Sequence, residues 1–215
     1  MSTTAQLVGR VRYKAGLQSI QAVANEDIVA HLNRGQEFLM WGLHVSAMPE
    51  MSELASGTLT NSRVGLPADF GFEQLVEVGS TLKTARPVAP SQLDQLSNIP
   101  QHAPSATQPW YYIWHNAADD ARRLHIEIGA PTSTAAYELR YIQSPTDIDL
   151  ESSNPEWRER YNDLLVDFAV SRLLDAEGNR AAGRRVFFSV VARMTEINQR
   201  WIESQRKYEL TPSFG

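Results

Sequence analysis

Two hydrophobic rhythms divide this chain. Apolar residues recur at helical spacing near both ends and at every second position in between. A segment with a 3.6-residue period gathers its apolar side chains on one helix face, whereas a period of two gathers them on one strand face. The order of these rhythms restricts the fold to helical ends around a β middle.

At the N-terminal end, Thr3 and Thr4 offer caps for a short first helix that carries Leu7 and Val11, with Gly16 as its stop. Leu17 to Ala24 is weakly patterned and reads as a loop. Asn25-Glu26-Asp27 combines a capping residue with two acids where a helix dipole favours them. Ile28, Leu32, Phe38, Leu39, Trp41 and Leu43 then predict a helix from Glu26 to His44.

From Met48 the texture changes. Leu75, Val76 and Val78 suggest a strand closed by Gly79, and five prolines between Pro87 and Pro109 mark a loop-rich stretch. Trp110, Tyr112 and Trp114 alternate with Tyr111, Ile113 and His115. Leu124, Ile126 and Ile128 alternate with charged neighbours, as do Tyr137, Leu139 and Tyr141. Three such runs joined by short breaks predict an antiparallel meander.

Helix returns with Asn154 as a candidate cap and Pro155 at the favoured first position. Trp157, Tyr161, Leu164, Leu165 and Phe168 form one stripe. Gly178 interrupts, and Phe187, Val190, Val191, Met194, Ile197 and Trp201 form another. The expected fold class is α+β: a four-helix bundle of residues 1–45 and 155–207, an antiparallel β-rich insertion over 46–154 between helices 2 and 3, and a C-terminal tail over 208–215.

Composition removes several functions. The 215 residues include no cysteine, which excludes disulfides, thiolate metal sites and cysteine nucleophiles. The longest apolar stretches, at Leu164 to Val166 and Val186 to Phe188, are too short to cross a bilayer, so no membrane partner is expected. No apolar run follows Met1, and no secretory signal is expected; synthesis and use in a cytoplasm are. A net charge of -5 does not suit a dedicated nucleic-acid binder. There is no nucleophile elbow, Walker A loop or dinucleotide fingerprint, so no catalytic residue, cofactor or metal is assigned.

Three weaker constellations also occur. Asp27 and His31 stand four apart, but two ligands do not make a metal site. His125 and Glu127 share a strand face with Arg123 and read as a solvated charged face, with Glu138 and Arg140 as cross-strand partners for such groups. Trp110, Tyr112 and Trp114 suit core and subunit contact; a glycan- or nucleotide-binding platform is the alternative, and an unrecognised His–carboxylate hydrolase comes last.

Charge is distributed unevenly. Residues 147–167 hold seven acids against two arginines, and residues 175–209 hold seven basic residues against five acids. Acidic and basic faces of neighbouring copies could close a ring, with Glu156, Glu159 and Asp163 facing Arg184, Arg185 and Arg193.

The order of motifs resembles the head-to-tail adaptor (connector, or head-completion) proteins of tailed bacteriophages. It runs from the Asn25-Glu26-Asp27-Ile28 helix start through Leu66-Pro67-Ala68-Asp69-Phe70 to Tyr111-Tyr112-Ile113-Trp114. It continues with Leu124-His125-Ile126-Glu127, Tyr137 to Tyr141, Ser144-Pro145 and Asp163-Leu164-Leu165. The likeness covers Leu7 to Leu174 and departs in the long proline-rich stretch from Arg86 to Pro109. It implies a non-enzymatic structural virion protein of the neck, made in the host bacterial cytoplasm. It further implies a ring, a dodecamer matching the portal, that extends the DNA channel without sequence-specific DNA binding and offers a platform to the tail or the next neck protein. By the same resemblance, the tail would anchor in the portal through Tyr208, Leu210, Phe214 and Gly215.

Overall fold

Capping chemistry sets the first helix. In the computed structural model, which describes residues 3–16, 23–93, 103–116, 121–127, 135–150 and 161–209, α1 spans Thr4–Lys14. The Thr3 hydroxyl accepts from the Gln6 amide, and the Gln6 side chain accepts from the Thr3 amide at 2.8 Å, a reciprocal capping box. The second helix, α2, spans Asn25–Gly42 with Glu26 and Asp27 in its first turn. Asn25 lies inside the helix and does not cap it; its side-chain oxygen accepts from Arg12 Nη2 at 2.8 Å.

Two further helices follow near the C-terminal end: α3, Asn162–Ala176, and α4, Arg180–Glu209. Gly178, at φ +85°, turns the chain between them, a conformation that glycine adopts without a Cβ penalty. The candidate cap Asn154-Pro155 and Trp157 lie outside the described residues.

The fold divides into two units, one of Met1–Met51 with Ser144–Gly215 and the other of Ser52–Gln143. In the helical unit, α3 is largely buried, with Asp163, Arg172 and Ala176 its exposed residues. Leu164, Leu165, Val166, Phe168, Ala169, Val170, Ser171 and Leu173 are all inaccessible or nearly so. Each large apolar side chain so buried contributes about 1.5–3 kcal/mol relative to exposure. Phe38 of α2 stacks on Phe168 at 5.0 Å and meets Phe187 of α4 at 5.5 Å. Gly35 lets α2 approach closely, because a Cβ there would stand 3.2 Å from the Phe168 ring. The Tyr161 hydroxyl, fully buried, donates to the Ala47 carbonyl.

This arrangement corrects the expected four-helix bundle. In such a bundle each helix turns one apolar stripe to a shared axis. Here the helices number 11, 18, 15 and 30 residues, and α3 is a central rod against which the others pack. A helix whose buried apolar side chains reach well beyond a single stripe belongs among its neighbours, not at one corner.

The second unit is a β-sandwich. Its strands are β1 (Ser52–Thr58), β2 (Arg63–Gly65), β3 (Phe70–Val78), β4 (Lys83–Thr84), β5 (Arg86–Pro87), β6 (Trp110–Asn116), β7 (Ala121–Glu127) and β8 (Ala136–Gln143). They form two four-stranded sheets, ordered β1-β8-β3-β4 and β2-β7-β6-β5. The expected meander is corrected in one respect. β6 and β7 are antiparallel neighbours, but β8 joins the other sheet, between β1 and β3. The two sheets share one core, with Val76, Val78, Tyr137, Leu139 and Tyr141 from the first and Tyr111, Leu124 and Ile126 from the second.

Two core tyrosines end on carboxylates. Tyr141 donates to Asp69 at 3.1 Å and Tyr111 to Glu73 at 3.5 Å. Burial first, and the neighbouring carboxylate second, push each phenol up to about 12. Each therefore holds its proton more tightly folded than unfolded. Their stabilisation should be complete below pH 10 and disappear as the pH climbs toward 12. An ultraviolet titration should show these two ionising well after an ordinary tyrosine; titration of every tyrosine near 10 would contradict the packing.

A glycine supplies the second test. Alanine normally gains about 1 kcal/mol over glycine inside a helix. At Gly183 a Cβ would lie 2.8 Å from the Ser171 carbonyl oxygen, a backbone atom that cannot step aside cheaply. Gly183→Ala should thus destabilise, by about 1–3 kcal/mol in chemical denaturation. Gly42→Ala, which meets only the flexible end of Met194, should not.

Candidate assembly surfaces

The acidic and basic residues chosen from the sequence fall into three groups. The first is consumed within the chain. Asp163, in the first turn of α3, pairs with Arg10 of α1. One turn along, Asp167 receives Lys14 Nζ at 2.6 Å and Arg193 Nη1 at 3.0 Å. Asp163 and Arg193 thus hold α1 and α4 to α3 in the same molecule. These pairs are partly exposed, so each contributes roughly 0.2–1 kcal/mol and orients more than it stabilises.

Arg10 and Lys14 were not singled out by sequence. The signal was present: they are four apart on α1, and Asp163 and Asp167 are four apart on α3, so two helices in contact present matched ladders.

The second group remains exposed. Arg184 and Arg185 sit on the outer side of α4, next to Phe188, which is 67% exposed. The third group lies beyond description. Glu156, Glu159, Leu210, Phe214 and Gly215 fall outside the described residues, and Tyr208 is placed on α4 by its backbone alone.

On the sandwich, alternation sends Tyr111 and Ile113 into the core and Tyr112 and Trp114 to the opposite face. His125 of β7 is not on a solvated face. It is 6% exposed, stacked on Tyr112 at 4.8 Å and on Trp114 at 6.0 Å, with Nε2 held 2.7 Å from Glu127. Arg63 of β2 covers the Trp114 ring at 4.8 Å. The stacking that a sugar or base would supply is already provided by His125 and Arg63, so this surface reads as a closed aromatic layer and not as a ligand platform.

The other sheet has an outer face of a different kind. Cross-strand rows place Leu54, Arg140 and Leu75 side by side, and next to them Ser56, Glu138 and Glu77. Glu138 and Arg140 form no ion pair among the described residues.

Asp27 and His31 line a cleft of about 380 Å³ with Arg34, Leu173 and Glu177. Burial, and then Arg34, lower the His31 pKa below its ordinary value. Among the described residues no three His, Asp or Glu side chains converge as metal ligands, and no helix is long and apolar enough to cross a membrane.

No curated protein matches the chain. A family model described as SU10 adaptor protein matches residues 2–208, nearly the whole length, and with its helical ends, central sandwich and charged outer faces the chain belongs to that family of structural phage adaptor proteins, components of the virion.

Proposed function

We propose that this chain is a head-to-tail adaptor: copies assemble as a ring beneath the portal, extend the DNA channel and form the platform for the tail or the next neck protein. Family membership over residues 2–208 is the observation that carries this reading. The helical unit supports it physically. Its core is closed around α3, yet α4 presents arginines and an exposed phenylalanine to the outside, as a subunit needing neighbours would. The ring would be a dodecamer matching the portal, and packaged DNA would pass through it without sequence-specific contacts.

The C-terminal segment is the proposed portal hook, through Tyr208, Leu210, Phe214 and Gly215. In this role the protein carries no catalytic site and no cofactor.

Mass measurement in solution tests the reading. The full-length chain mixed with its portal protein should give one complex containing a full ring of copies. Deletion of residues 210–215 should weaken that complex at least about tenfold, an interface loss of roughly 1.4 kcal/mol or more. A chain that stays monomeric and never joins the portal would overturn the proposal.

A further inference from the structure

Two surfaces of this chain are left electrostatically incomplete by its own fold. The first is on α4. Arg180, Arg184 and Arg185 occupy its first two turns, with no acid in the first turn. Cations there oppose the helix dipole. Among the described residues none of the three makes an ion pair, and Arg185 Nε donates to the Ala181 carbonyl. Phe188 and Val191 continue this outer face, 67% and 37% exposed.

The second is the outer face of the β1-β8-β3 sheet. Glu77 and Glu138 stand directly opposite each other across β3 and β8. Like charges so placed repel, and neither is neutralised by an ion pair among the described residues. In the adjacent row, Leu54 on the edge strand β1 is 54% exposed, and the exposed Arg140 of β8 stands between it and Leu75.

We propose that these surfaces are the two halves of one contact between neighbouring copies: the Arg184–Arg185–Phe188 face of α4 seats on the Leu54–Leu75–Glu77–Glu138 face of the next chain. The inference rests on the ring reading and names its interface. The occupant is a second copy because the charges and apolar groups match in balance: arginines meet two glutamates that repel each other at home and outnumber the single Arg140 beside them, and Phe188 covers Leu54. The contact joins two different surfaces, so it propagates head to tail until a ring closes. It does not draw on Asp163 and Arg193, which are engaged within the chain.

The lack of cysteine makes the test direct. Full-length Leu54→Cys and Phe188→Cys chains are assembled together into virions, oxidised, and separated without reductant. A covalent dimer should form in the mixture and not with either variant alone. In a second arm, Arg184→Glu with Arg185→Glu should lower incorporation into virions by about tenfold or more, and adding Glu77→Arg with Glu138→Arg to the same chain should restore it. Recovery by charge exchange is not expected of a merely misfolded variant. Virions that contain the chain but yield no mixed dimer and no rescue would overturn this interface and leave the adaptor reading standing. Virions that lack the wild-type chain would overturn both.

Discussion

Everything in the helical unit depends on the burial of α3. Its buried apolar side chains spread well beyond one stripe, so its neighbours must cover it on several sides. The wrapping dictates the rest. Gly35 and Gly183 exist where α2 and α4 must come close, and Arg10, Lys14 and Arg193 lie where they can meet the two aspartates that α3 presents. Those ion pairs add little energy compared with the core, but they set the rotation of α1 and α4 about the central rod. The rotation of α4 in turn decides that Arg184, Arg185 and Phe188 face outward.

The sandwich solves a different problem. With strands as short as two residues at its edges, it relies on a few large side chains from both sheets. Tyr111 and Tyr141 contribute apolar area and also satisfy their hydroxyls on Glu73 and Asp69. The His125 layer closes one outer face. The opposite outer face stays polar, edged and exposed, the condition in which a sheet is available to a partner.

Much of this was legible in the residues, and what was not has physical causes. A cap at Thr3 and the α2 periodicity were readable because local contacts produce them, whereas the reciprocal bond from Gln6 came from the structure. Alternation identified β6 and β7, and their adjacency followed from a short connection. It could not say where β8 pairs, since alternation reports two faces and not the neighbours. β1 was missed because Ser52–Thr58 has almost no β-branched or aromatic content; its pairing with β8 makes it a strand. The bundle expectation failed because a stripe was read on α3 while Val166, Ala169 and Val170, on its other faces, are equally buried. For the assembly surfaces, charge pattern picked out Asp163 and Arg193 as residues between copies, and within the chain they pair with Arg10 and Asp167, because which partner a charge takes is a tertiary property.

The central claim is that this chain works as one of many identical copies between capsid and tail. An electron cryomicroscopy reconstruction of the neck of the phage that carries it measures this most directly. The account predicts a closed ring below the portal in which each copy shows a long helix, α4, at the boundary with its neighbour. A neck whose density has no place for the chain, or that holds it as an isolated copy, would contradict the account.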